Sequence, residues 1–346
     1  MLKIAKDKLP ALLQAWAAEA KVFTPQDRGG TSAFLPWDGK GRLTLGEGNT
    51  LEPPKDLFFP RTETMYWYQV QGQEAEITEV PSFEEKMVLV GVRSCDAWSF
   101  AIMDDVFLTK GYVDEFYRRR RENTRVVALA CTEAAPTCFC TSFGLDPGRA
   151  EGVDVQMWPL DDGYLLEAFT EAGRELLRQA GDLLEEAGNA PLPASAIGFI
   201  AGTHGVAVAA PKLEVDVSGV VEKLQRMFEH PYWTGLSRKC LGCGACTYLC
   251  PTCHCFDIQS ENLGNTGYKF RCWDSCMFSE YTRMAGGHNP RPSKKERLRN
   301  RFLHKLQYFP ERYGKFACVG CGRCLDRCPV NVDITRVIRE VKEVTL

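Results

Sequence analysis

Residues 240–251 read CLGCGACTYLCP and residues 318–329 read CVGCGRCLDRCP, so one cysteine phrase is written twice in the last third of the chain. Each copy has three cysteines separated by two residues, a fourth after three more, and a proline behind it. The first uses Cys240, Cys243, Cys246, Cys250 and Pro251, and the second uses Cys318, Cys321, Cys324, Cys328 and Pro329. In this spacing three thiolates from a tight turn reach three irons of one cubane cluster, while the fourth ligates the other cluster of a pair. The reading is therefore crossed. Cys240, Cys243, Cys246 and Cys328 make up one set, and Cys318, Cys321, Cys324 and Cys250 the other.

Three alternatives fit less well. A closed zinc site takes four ligands and has no use for a third C-x-x-C step or a proline-terminated fourth cysteine. A disulfide framework belongs to short secreted chains, whereas 346 residues with 45% apolar content can build an ordinary core. Residues 250–254 also spell C-x-x-C-H, the attachment motif of c-type haem, but Cys250 already belongs to the longer pattern and no export signal precedes it.

No run of about 18 uncharged apolar residues occurs, and the first twenty residues read as an amphipathic helix rather than a signal peptide. A cytoplasmic protein without membrane insertion is expected, where sixteen reduced cysteines are available as ligands. The net charge of −3 is unevenly divided: residues 236–346 hold 19 Lys and Arg against 10 Asp and Glu, leaving −12 for the rest. Arg291, Lys294, Lys295, Arg297, Arg299 and Arg301 raise the question of nucleic acid. A solvated helix face explains them better. Ser293 and Glu296 form a capping box, and Leu298, Phe302 and Leu306 make an apolar stripe.

In the N-terminal half, MVLVGV at residues 87–92 and VVALA at 126–130 read as strands buried on both faces, with helical patterns over 96–107 and 112–123 between them. This is a βαβ unit. Its strand ends carry Cys95 and Cys131, and the following loop carries Cys138 and Cys140, where open α/β sheets gather ligands. Four cysteines suffice for a third cluster, although small buried cysteines also occur in ordinary cores. Strands follow at 153–160 and 163–169, then a helix over 171–187 stopped by Gly188, a connection GNAPLPAS, and a helix over 215–229. No dinucleotide fingerprint or nucleophile elbow is present.

Between the two phrases lie 67 residues, 251–317, holding Cys253, Cys255, Cys272 and Cys276. These could close a fourth site, or Cys253 and Cys255 could be thiols packed beside the pair that tune its potential. Gly242, Gly244, Gly320 and Gly322 let backbone N–H groups come close to the sulfurs.

The phrases CPTCHCFD, RCWDSCM, TRMAGGHN, RLRNRFLHK and CVGCGRCLDRCPV, with GVRSCD, CTEAAPTCFCTSFG and DGYLLEAFTEAGRELL upstream, resemble the iron-sulfur component common to cytosolic sulfhydrogenases, where it is the beta subunit, and anaerobic sulfite reductases. The resemblance covers about residues 60–346; residues 1–60 match in outline. It implies an electron carrier between a partner that binds FAD and NAD(P)H with its own iron-sulfur cluster and a catalytic oxidoreductase subunit of hydrogenase or sulfite reductase type. The expected architecture is an α/β domain over residues 1–212 with a mixed or parallel sheet, a helical linker over 213–236, and a mainly α-helical ferredoxin-like domain over 237–346 with two [4Fe-4S] clusters. The expected role is conduction without bond chemistry. Two other roles stay open: a reductase subunit using the N-terminal cysteine site, which needs an open coordination position, and a redox sensor.

Overall fold

The protein is described from a computed structural model covering residues 1–188 and 211–345. Its strands are β1 Leu2–Ala5, β2 Lys21–Asp27, β3 Ser32–Pro36, β4 Thr62–Gln71, β5 Glu74–Glu79, β6 Met87–Val92, β7 Thr124–Leu129, β8 Val155–Pro159, β9 Gly163–Ala168, β10 Glu185–Glu186, β11 Phe256–Leu263 and β12 Thr266–Trp273. Eight of them form a mixed sheet in the order β10-β1-β9-β8-β7-β6-β2-β3. The centre β2-β6-β7-β8 is parallel, and the flanks are antiparallel. Both faces of this centre are covered, which is why its strands read as unbroken apolar runs. Leu12, Leu13, Trp16, Leu176 and Leu177 pack on one face, while Phe58, Phe59, Phe100, Phe107 and Tyr117 pack on the other.

Three expected helices are shorter in the structure. Leu2–Ala5 pairs with β9 and β10 as a strand, and the helix begins only at Leu9–Ala17, where Pro10 fits the first turn because its missing N–H is not needed there. The helix expected over 171–187 ends at Arg178: Gly181 takes a positive φ, and Glu185–Glu186 joins β1 as an edge strand. Over 215–229 only Val220–Gln225 is helical, started by Gly219 at φ 69°. The connection expected at 188–195 lies outside the described residues after Gly188.

A second sheet, β11-β12-β4-β5, unites strands from distant parts of the chain. The hairpin β11–β12 comes from the segment between the two cysteine phrases, and it extends the hairpin β4–β5 through an antiparallel β12–β4 pairing. Glu63 on β4 receives Arg271 of β12 and Arg120 of the helix Glu115–Glu122, so a buried ion group fastens the insertion to the α/β body. Residues 211–345 otherwise supply the helices Val220–Gln225, Tyr232–Ser237, Ala245–Tyr248, Lys294–Leu303, Phe309–Tyr313, Arg323–Asp326 and Ile334–Glu343. Their core holds Trp233, Leu298, Phe302, Leu306, Val337 and Ile338, next to Cys240 and Cys276.

Candidate iron-sulfur centres

The two cysteine phrases build the same local unit. Gly244 and Gly322 each stand at φ 77°, in the left-handed region that glycine enters without penalty, and each starts a one-turn helix carrying the third cysteine. The two turns pack against each other. Cys318, Cys321 and Cys324 line one small cavity together with Cys250, the last cysteine of the other phrase, and Arg301 and Lys305 complete its wall. Burial pushes the Cys318 thiol up to about 12.

Cys240 lies among Cys246, Cys243 and Cys328. Burial raises its pKa; the Gly242 N–H, 3.3 Å from its sulfur, acts in the opposite direction, and the three neighbouring thiolates add to the rise. The Val332 N–H donates to Cys328 Sγ at 3.1 Å. Alone among the sixteen cysteines, Cys243 is exposed.

The N-terminal four also meet. Cys95 sits in the first turn of the helix Ser94–Leu108 that follows β6, Cys131 lies just beyond β7, and the loop after it brings in Cys138 and Cys140; all four line one cavity. Burial raises every one of these thiols, Cys138 to about 11 and Cys140 to about 12. A thiol coordinated to a metal gives up its proton outright, which removes the obstacle that burial imposes. Among the described residues no three His, Cys, Asp or Glu are gathered to hold a single metal ion. Two of the four-thiol sets, Cys95, Cys131, Cys138 and Cys140 and Cys250, Cys318, Cys321 and Cys324, each line a cavity of their own.

These two cavities share a wall, because Gly320 and Cys321 line both. The contact is close. The Phe139 N–H donates to the Gly320 carbonyl at 2.8 Å. A Cβ on Gly320 would stand 2.5 Å from the Phe139 carbonyl, and one on Gly322 would stand 2.5 Å from the Thr137 oxygen. The glycines of the second phrase are thus required by the loop holding Cys138 and Cys140 as well as by the turn itself. Asn49 spans the junction: its Nδ2 donates to the Cys321 carbonyl at 3.1 Å, and its Oδ1 accepts from Cys95 Sγ at 3.7 Å. Sequence reading missed Asn49 because a lone Asn in a polar loop carries no pattern.

The basic run over 291–301 is not the solvated face expected of it. The capping box of Ser293 and Glu296 is present, but Arg297, Arg299 and Arg301 are buried. Arg297 donates to the Arg291 and Pro292 carbonyls, and Arg299 donates to the Phe228 carbonyl while lying on the Phe228 ring. Arg301 has Cys246 and Cys324, one from each phrase, as its strongest charge partners. Of the three buried arginines, Arg301 is the one whose charge is directed toward sulfur.

The four insertion cysteines separate into three and one. Cys253 hydrogen-bonds with Cys250, and Cys255 with Cys276. The Cys276 contact, with help from the Tyr281 hydroxyl, brings Cys255 down to about 6 against the effect of burial. Cys272 instead lies on β12 across from Asp257; burial raises its thiol, followed by the charges of Asp257 and Asp274.

Residues 239–332 match the family model described as the 4Fe-4S dicluster domain, which makes the chain an iron-sulfur protein. Along almost its whole length it is also 31% identical, over 343 residues, to a Pyrococcus furiosus protein named sulfhydrogenase 2 subunit beta; the match spans 99% of this chain and 98% of that protein. The chain belongs to the family of sulfhydrogenase beta subunits. No solved structure matches it. Among the described residues no helix is long and apolar enough to cross a membrane.

Proposed function

We propose that this chain is the electron-relay subunit of a cytosolic anaerobic oxidoreductase complex. It would carry [4Fe-4S] centres on Cys240, Cys243, Cys246 and Cys328, on Cys318, Cys321, Cys324 and Cys250, and on Cys95, Cys131, Cys138 and Cys140. Bound there, such clusters take up and release one electron at a time. The observation that carries the reading is the wall shared by the two four-thiol cavities at Gly320 and Cys321. With Arg301 acted on by the charges of both Cys246 and Cys324, it supports a linear order with the Cys318 set in the middle. Exposed Cys243 marks one end of the line, and the N-terminal set the other. The partners are an iron-sulfur protein that binds FAD and NAD(P)H and a catalytic component of hydrogenase or sulfite reductase type.

The test is iron and acid-labile sulfide analysis of anaerobically purified chain, with Cys243→Ser in the assembled complex. About 12 irons per chain are expected. The variant should lose iron and block electron flow through the complex while the flavin partner keeps its dye reduction. Unchanged flow in Cys243→Ser would end the relay reading.

A further inference from the structure

One buried charge in the relay faces sulfur where a carboxylate would be usual. Lys305 is 3% exposed, which places an ammonium group inside the protein. Its Nζ donates to Cys250 Sγ at 3.2 Å, to Thr252 Oγ1 at 2.9 Å and to the Ala317 carbonyl at 3.0 Å. Thr252 uses its own hydroxyl proton on the Ala317 carbonyl, 2.8 Å away, so toward Lys305 it can act only as an acceptor. Three acceptors thus face the three protons of an ammonium group. A buried charge persists when it is hydrogen-bonded and paired with an opposite charge, and of these three acceptors the Cys250 sulfur is the one able to carry negative charge. Lys305 lies in the π turn His304–Tyr308 that continues the helix Lys294–Leu303, and such π turns are frequent at functional positions.

Among the described residues no cation hydrogen-bonds to a sulfur of the set Cys240, Cys243, Cys246 and Cys328. The donors to the sulfurs of Cys240 and Cys328 are neutral backbone groups, the Gly242 and Val332 N–H. Net charge and hydrogen bonds to sulfur are the means by which a protein sets the potential of such a centre. We propose that Lys305 is a fixed buried cation that makes the centre on Cys250, Cys318, Cys321 and Cys324 easier to reduce. An added electron brings negative charge to the sulfur side of the Lys305–Cys250 contact, so the ammonium favours the reduced form. This inference rests on the reading of those four cysteines as ligands of one [4Fe-4S] centre.

The experiment is a redox titration of the anaerobically purified full chain, followed by electron paramagnetic resonance, with iron content measured first. Lys305→Met should keep its iron, yet at the potential where the wild-type centre is half reduced its ratio of reduced to oxidised centre should fall at least tenfold. For a one-electron couple that is about 59 mV. Lys305→Arg should stay within threefold of wild type. A Lys305→Met protein with full iron and the wild-type midpoint overturns the proposal. If Lys305→Met does not retain iron, Lys305→Gln takes its place, since it keeps an N–H donor without the charge; it should show the same fall, and a wild-type midpoint in it overturns the proposal equally. Cys318→Ser separates the two levels of the argument. It should abolish the signal that moves in the Lys305 variants, and if the signal survives, the ligand reading fails and the inference with it.

Discussion

Asp96 holds Arg323 through two hydrogen bonds of 2.7 and 2.8 Å, with both side chains almost fully buried. Asp96 belongs to the helix that follows β6, while Arg323 lies between Cys321 and Cys324, so the pair ties the α/β sheet to the second cysteine phrase. Burial works against the guanidinium charge, but Asp96 outweighs it and Arg323 stays protonated. Its Nε also donates to the Thr50 carbonyl at 2.8 Å. The contribution of such a pair is mainly positional, because desolvation offsets most of the attraction. Removing one partner is another matter, since it leaves a charge buried alone.

Asp96→Ala should therefore cost about 3–5 kcal/mol in denaturant unfolding. Asp96→Asn, which keeps a hydrogen-bond acceptor, should cost less. A loss under about 1 kcal/mol for Asp96→Ala would mean that Arg323 finds water instead, and the tie would not be structural.

Gly320→Ala should destabilise the chain more than Gly152→Ala. Both glycines have positive φ, 60° and 69°, so each alanine meets backbone strain of roughly 1 kcal/mol. Gly152 has nothing within 4 Å of an added Cβ, whereas at Gly320 the Cβ would meet the Phe139 backbone at 2.5 Å. The excess should show as a lower unfolding midpoint. Equal effects in the two variants would argue that the loop and the second phrase are not in rigid contact.

The contrast between these sites explains what could be read from the sequence. The doubled cysteine phrase and the buried strands β6 and β7 are periodic, local signals, and they led to the ligand sets and to the mixed sheet. The second sheet has no local signal, because its register depends on β12 finding β4 nearly two hundred residues earlier. The basic run misled for a related reason. A lysine or arginine beside an apolar stripe normally faces water, and only the three-dimensional position of Cys246, Cys250 and Cys324 lets Arg301 and Lys305 be buried. Asn49 stands apart in sequence from every residue it joins.

Acid should destabilise the chain through His304. Its ring meets His254 edge-on at 5.3 Å, and burial, followed by the charge of protonated His254, holds its pKa down to about 3, while His254 is held near 4 by burial. An unfolded histidine titrates near 6.5. Between those values the unfolded chain binds the extra proton, so the stability from the neutral ring is full above about pH 6.5 and is lost as pH falls toward 3. The unfolding midpoint should drop across this range, and His304→Phe should reduce the slope. An unchanged slope in the variant would place the acid response elsewhere.

In iron-free protein Cys255 should be alkylated before Cys138, Cys140 and Cys318. It ionises at about 6, whereas Cys138, Cys140 and Cys318 stand at about 11 to 12, and alkylation follows the thiolate. The leading cause of the low value is the hydrogen bond with Cys276. Cys276→Ala should therefore move half-maximal labelling of Cys255, read by mass spectrometry across pH, from near 6 to at least the ordinary thiol value of about 8.5. Cys272→Ser should leave the profile where it is, because Asp257 and Asp274 are the charges that act on Cys272. A shift in Cys272→Ser as large as that in Cys276→Ala would show that the four insertion cysteines act together, and the division into three and one would fall.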